Sequence, residues 1–363
     1  MSEPLRVAVI GVGHHGQHHA RIYSELDGVN LVAVVDRRSD RASEIARKYG
    51  CQAAVALDDV IDHIDAASIV VPTVHHLETA RPFIERRKPI LIEKPIAPTV
   101  AEANEMLALA RRHECLVAVG HIERFNPVVR AMGRFRVEPK FIECHRISPF
   151  TFRSADVGVV LDMMIHDIDI VLSLVRDEPV RVDAVGVRVL SRCEDICNAR
   201  VTFRRGCVAN LTASRLALKT ERKIRVFSDE VYVSLDYQKR VGLAIRKKAN
   251  LDILKLAQDW DMEDLSQMAG VDYTELVHVE PLEVEDSEPL RSELESFIHS
   301  IRRGLPPACG VEDGVAAVRL AGDITAAVHQ HQWDGTPTGR IGLDAGLHGN
   351  GDAASFEGGG SPH

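Results

Sequence analysis

The sequence predicts an α/β fold: an N-terminal doubly wound parallel sheet, then an α+β domain whose sheet is mostly antiparallel. Three observations carry this expectation. Short β-branched runs alternate with amphipathic stretches of about 10–15 residues through the first third of the chain. A glycine cluster, Gly11, Gly13 and Gly16, directly follows the first run. From about Thr151 onward, strand-like runs are parted by short turns such as Arg205-Gly206, which is a hairpin pattern.

The first strand is Leu5-Arg6-Val7-Ala8-Val9-Ile10, and the helical pattern behind the glycines runs from Gln17 to Glu25. A second strand, Leu31 to Val35, ends in Asp36, 20 residues after Gly16. Strand, G-x-G-x-x-G, helix and an acid at that distance form the Rossmann fingerprint for a dinucleotide. Gly11 permits the tight turn, Gly13 lets backbone amides approach a pyrophosphate, and Gly16 lets the helix pack on the strand. Asp36 accepts from a ribose 2′-hydroxyl and repels a 2′-phosphate, which favours NAD. Arg37 and Arg38 weaken that preference and leave NADP open. His14, His15, His18 and His19 crowd the same loop. Their i, i+4 pairs are half a metal site with no acid or thiolate to complete it, so no metal is expected and His14 and His15 are placed beside the dinucleotide.

The alternation continues with strands at Ala67–Val71, Pro89–Ile92 and Leu116–Gly120 and helices at Leu77–Arg87 and Val100–His113. In such sheets the ligand sits at the carboxyl ends of the strands. Those ends carry Pro72-Thr73 with His76 behind them, Glu93-Lys94-Pro95, and Gly120-His121.

The chain has 363 residues, and 44 Lys+Arg against 53 Asp+Glu give a formal charge of −9. That length exceeds one ordinary core and predicts two domains, 1–122 and 123–333. The acidic balance argues against a nucleic-acid partner. Residues 334–363 hold 9 of the 25 glycines and are expected to form a flexible tail. The opening MSEPLRVAVIG has neither the basic start nor the apolar stretch of a signal peptide, and no run approaches the ~20 apolar residues that span a bilayer. The seven cysteines are scattered and contain no C-x-x-C pair, which predicts reduced thiols. A cytoplasmic location without a membrane partner is the expectation.

Further along, Asp162, His166 and Asp169 recur at i, i+4 and i+7 in an otherwise apolar stretch from Val159 to Leu172. On a regular helix all three share one face, and ionisable groups on a buried helix need a reason. Oxidation of an alcohol supplies one: His166 would take the hydroxyl proton and a carboxylate one turn away would orient the ring. Lys94, at a strand end, would stabilise the developing alkoxide.

With the fingerprint, the Pro72-Thr73-x-x-His76 loop, Glu93-Lys94-Pro95 and the Asp162-x-x-x-His166-x-x-Asp169 helix in this order, the sequence resembles the Gfo/Idh/MocA family of nicotinamide-dependent oxidoreductases over about residues 5 to 330. The resemblance implies that Lys94 and His166 are the catalytic pair with Asp162 as the orienting partner, and that the second sheet pairs subunits in a dimer or tetramer. Together with that helix, His121-Ile122-Glu123-Arg124-Phe125-Asn126-Pro127 resembles the subgroup that oxidises the C3 hydroxyl of UDP-N-acetylglucosamine ahead of transamination, toward the 2,3-diamino sugars of lipid A. His121, Glu123, Arg124, Asn126 and Asp169 are then candidates for binding a UDP-sugar, Arg124 and Asn126 as donors to pyrophosphate and sugar groups. An inositol 2-dehydrogenase or another polyol dehydrogenase is the alternative. A non-catalytic NAD-binding regulator is a third reading, and the presence of Lys94, Asp162 and His166 together speaks against it.

The second domain is expected to contain strands at Val182–Val187, Ala199–Phe203, Val208–Ser214 and Lys223–Phe227. A polar helical insertion is expected over 246–270, and amphipathic closing helices over Leu290–Arg303 and Gly314–His329.

Overall fold

The computed structural model describes residues 3–151, 157–247 and 277–331. The expected tail lies outside them, as does the expected insertion apart from Arg246 and Lys247.

The first layer is a six-stranded parallel sheet in the order β3-β2-β1-β4-β5-β6. Its strands are β1 Leu5–Ile10, β2 Val29–Val35, β3 Gln52–Ala54, β4 Ala66–Ile69, β5 Ile90–Glu93 and β6 Val117–Gly120. The order reverses between β1 and β4, which makes the switch point where ligands sit in such sheets. Alternation along β1 feeds both faces. Val7 and Val9 pack with Ala20, Ile22 and Tyr23 of α1 (Gly16–Glu25) and Ile45 of α2 (Ser39–Tyr49). Ala8 and Ile10 share the opposite core with Phe83 and Ile84 of α3 (His76–Glu85) and Met106 of α4 (Val100–His113). Helix α4 starts where Thr99 Oγ1 accepts from the Glu102 amide at 3.2 Å, a side-chain cap that satisfies one orphan donor.

After a short α5 (Pro127–Met132) come β7 Phe141–Ile147 and α6 Ile165–Val175, the latter preceded by a π turn over Val160–Met164. Strands β8 Pro179–Val187, β9 Ile196–Phe203, β10 Val208–Ser214, β11 Glu221–Phe227, β12 Val231–Asp236, β13 Val241–Lys247 and β14 Val277–Pro281 complete an eight-stranded sheet. Its order is β14-β13-β12-β11-β7-β10-β9-β8. β7 and β10 run parallel and every other neighbouring pair is antiparallel. The predicted fold class is the observed one.

The closing helices are α7 Pro289–Arg303 and α8 Val311–Gln330. Although α7 follows the second sheet in sequence, its Leu294, Phe297 and Ile298 are buried against Val7 and Val9 of the first. Burying each such side chain contributes about 1.5–3 kcal/mol, enough to hold the helix there. A cut at residue 122 therefore leaves the first sheet without one of its covering helices. Among the described residues no helix is long and apolar enough to cross a membrane.

Candidate active site

A cleft of about 1460 Å³ runs along the carboxyl ends of β1, β2, β4, β5 and β6 and on to the second sheet. That exceeds the ~300–1,000 Å³ of an ordinary small-molecule pocket and leaves room for two ligands side by side.

The glycine loop shapes its first end. Gly11 has φ +88°, and a Cβ on it would lie 2.6 Å from the Val70 carbonyl oxygen. A Cβ on Gly16 would stand 1.8 Å from the Gly11 carbonyl oxygen, so Gly16 lets helix α1 close on the loop and does not itself line the cleft. Gly13 has no heavy atom within 4 Å of its Cβ position and does line the cleft, leaving space for a phosphate to approach the backbone. At the end of β2 the Asp36 carboxylate accepts from the amides of Val12 at 3.1 Å and Arg38 at 3.0 Å. It faces the cleft with Arg37 and Arg38 beside it. His14, His15, Pro72 and Thr73 line the same end. These residues fit an NAD, the pyrophosphate at Gly13 and the adenosine ribose at Asp36. Among the described residues no group of three His, Cys, Asp or Glu side chains could hold a metal.

His76 also reaches the cleft, but its Nδ1 lies 3.0 Å from the Pro95 carbonyl and its Nε2 3.0 Å from that of Val71. It braces the exit loops of β4 and β5 against each other. Glu93 is held in the same way: Oε1 is 3.1 Å from His19 Nε2, and Oε2 accepts from the Lys94 amide at 3.2 Å. Burial pushes the Glu93 carboxyl up, but His19, His15 and Lys94 together outweigh it and the group lies below its usual range.

Lys94 projects from β5 to the middle of the cleft, where Nζ donates to the Asp162 carbonyl at 2.8 Å and stands 3.9 Å from its carboxylate. Burial lowers its pKa, opposed by Asp162 and Glu93. His166 lines the same region. Among the described residues its Nδ1 is buried without a hydrogen-bond partner, so Nε2 is the nitrogen that meets the cleft. Burial first, then Lys94 and Arg146, hold the imidazole well below its usual range and keep it neutral. Asp162 was expected to orient His166; the structure gives it to Lys94 instead. The π turn widens the helix by one residue per turn, which breaks the ideal i, i+4 register.

Asp169, three residues beyond His166 on α6, does not join the other two in the cleft. It is buried away from the cleft and receives two hydrogen bonds from Arg124, Nε and Nη2 each at 2.7 Å. Arg124 is further tied to Asp313 at 3.1 Å and to the Ala308 carbonyl at 3.2 Å. His121 is buried behind the cleft, its Nδ1 4.0 Å from Asp169. Asn126 donates to Glu123 Oε2 at 3.0 Å and caps α5 through the Val128 amide. Of the five expected substrate ligands only Glu123 lines the cleft; Arg124, Asp169, His121 and Asn126 are its support. Sequence reading missed Arg146, Arg215 and Arg222, which face the cleft from the second domain. The signal was alternation: Arg146 is in phase with buried Ile142 and Cys144, and Arg222 with buried Ile224 and Val226.

A dinucleotide loop, a lysine at the end of the following parallel strands and a neutral histidine opposite it define a nicotinamide-dependent dehydrogenase acting on CH–OH groups. Residues 5–121 match the oxidoreductase family with an NAD-binding Rossmann fold, and residues 122–233 match the GFO/IDH/MocA C-terminal domain. The chain belongs to the Gfo/Idh/MocA family. It is 32% identical to the UDP-N-acetylglucosamine 3-dehydrogenase of Acidithiobacillus ferrooxidans, over 87% of this chain and 94% of that one. The solved structure of that enzyme, GnnA, superposes with a TM-score of 0.80, covering 90% of this chain and 98% of the other at 31% identity. An inositol 2-dehydrogenase of Rhizobium meliloti is 26% identical over 87% of this chain and 94% of its own.

Proposed function

We propose that the enzyme oxidises the C3 hydroxyl of UDP-N-acetylglucosamine to the 3-keto sugar, in the branch that leads to 2,3-diamino sugars. The observation that carries the reading is the placement of Lys94 and His166 at the middle of a cleft whose far half is lined by arginines; likeness to the Acidithiobacillus enzyme over nearly its whole length supports the sugar. NAD, when bound, supplies the acceptor for the hydride leaving the carbinol carbon. Nε2 of His166 takes the hydroxyl proton, which its neutral state at pH 7 allows. Lys94 Nζ donates to the same oxygen and stabilises charge as it develops. Asp162 keeps the ammonium charged and aimed. One C–H and one O–H bond of the substrate are lost; the hydride with its two electrons would go to bound NAD, and the proton goes to His166.

We further assign the chain to the cytoplasm, where the reduced cysteines that their scattered spacing predicts persist, and assign the aromatic stack of Phe141, Phe227 and Tyr232 on the second sheet to contact with a second copy. The test is NAD reduction, followed by absorbance, with UDP-N-acetylglucosamine, UDP-N-acetylglucosaminuronate and myo-inositol. Turnover of the first is expected. Turnover of inositol alone would end the nucleotide-sugar reading.

A further inference from the structure

In β7 and β11 the core-facing cross-strand pairs are Ile142 with Val226, Cys144 with Ile224, and then Arg146 with Arg222. Two guanidiniums thus continue an apolar ladder into the cleft, directly opposite each other. Like charges in that position repel, and the arrangement persists only where something compensates both.

Arg146 is compensated within the protein. Its Nε and Nη2 donate to the Asp167 carboxylate at 2.8 and 2.9 Å, and its Nη1 donates to Glu123 Oε1 at 2.9 Å. Arg222 is not. Among the described residues its guanidinium makes no hydrogen bond, and its nearest carboxylate there is Glu123 at 3.9 Å. That carboxylate is already satisfied, Oε1 by Arg146 and Oε2 by Asn126. The Arg222 side chain retains 47% of its exposure while lining the cleft. Burial and the charge of Arg146 disfavour its cationic form, yet a guanidinium does not deprotonate near neutral pH. The same charge acts on both Lys94 and His166, so it stands close to the reacting end. A planar fork of unspent donors at this place matches the paired oxygens of an oxyanion.

We propose that Arg222 is the specificity-determining residue that binds the diphosphate of the substrate. This rests on the reading of the site as a sugar-nucleotide dehydrogenase and names the side chain that separates a nucleotide sugar from a neutral polyol. Anion binding relieves the repulsion between Arg222 and Arg146, so the strand pair is poised for an anionic ligand.

The experiment is calorimetric titration of the NAD-loaded enzyme with UDP and, separately, with glucuronate, for the wild type, Arg222→Gln and Arg225→Gln. Arg225 lies on the same strand but is paired with Glu143 at 2.8 Å and does not line the cleft. Loss of a charge-assisted pair is expected to weaken UDP binding about 10- to 100-fold in Arg222→Gln. Arg225→Gln should bind UDP as the wild type does, and NAD affinity unchanged within about twofold in both variants reports an intact fold. Equal UDP binding by wild type and Arg222→Gln, including absence of binding by either, overturns the assignment. Binding of glucuronate but not UDP through Arg222 also overturns it, since the oxyanion is then a carboxylate. If UDP binds through Arg222 but UDP-N-acetylglucosamine is not oxidised, the anion site stands and the reaction reading falls.

Discussion

Lys94 and Asp162, 68 positions apart, meet twice: the ammonium donates to the Asp162 carbonyl at 2.8 Å and stands 3.9 Å from its carboxylate. The π turn thus serves to aim a lysine rather than a histidine. Lys94→Ala should lower kcat about 10²–10⁴-fold while leaving the affinity for NAD unchanged. Lys94→Arg should not rescue it, because a planar fork cannot replace a compact ammonium. Asp162→Asn keeps the carbonyl and should cost less than Lys94→Ala. Steady-state kinetics with a separate NAD titration check all three, and a near-wild-type kcat for Lys94→Ala removes Lys94 from catalysis.

His166 is held below the ordinary 6.5 by burial, then by Lys94 and Arg146. A base with a depressed pKa stays unprotonated as pH falls, until its own lowered value is reached. The plateau of kcat/KM should therefore extend below pH 6.5, with the acid limb beneath it. His166→Asn should abolish turnover at every pH. A pH–rate profile whose acid limb is centred at or above 6.5 contradicts the burial argument.

The glycine fingerprint, Asp36 and Lys94 were legible because each is fixed by local chemistry: a turn that needs glycine, an acid at a strand end, a lysine before proline. The parallel sheet followed from alternation. β3, β7 and β12 to β14 escaped the sequence reading; in β7 the inward position 146 carries a charge, which masks the strand period. Arg124 was misread because its charge is visible in the sequence whereas the buried Asp169, 45 positions later, becomes its partner only through the fold. Asp162 went to the wrong partner because a regular helix was assumed where a π turn stands.

The Arg124–Asp169 pair gives a test of that correction. Burial opposes the Arg124 cation, but its anionic neighbours, Asp169 foremost and Asp313 among them, together outweigh this and raise its pKa. Arg124→Gln leaves Asp169 buried without its partner, which costs about 3–5 kcal/mol. The expected outcome is a marked fall in melting temperature, with substrate KM within about threefold when assayed well below that temperature. The opposite pattern, an unchanged melting temperature with a KM raised tenfold, would return Arg124 to the substrate.

Glu293 of α7 is only 2% exposed, and neither carboxyl oxygen finds a hydrogen-bond partner among the described residues. It borders a small cavity with Leu91, Ala118, Phe297 and Cys309. Burial, then the charges of Glu93 and Asp169, raise its pKa well above 4.5, so the folded protein keeps this proton after the unfolded chain has lost it. The sign follows from linkage: where the native state binds more protons, stability falls as pH rises. The loss begins at the unfolded carboxyl value and continues to the raised native one, at no more than about 1.4 kcal/mol per pH unit. Glu293→Met fills the same space without an ionisable group or an unmet donor, whereas a glutamine would bury its amide unpaired. The variant should melt above the wild type, and by a wider margin at pH 8 than at pH 5. Melting curves at the two pH values decide it. A margin that stays constant or shrinks toward pH 8 shows that Glu293 is ionised in the folded state and has a partner there.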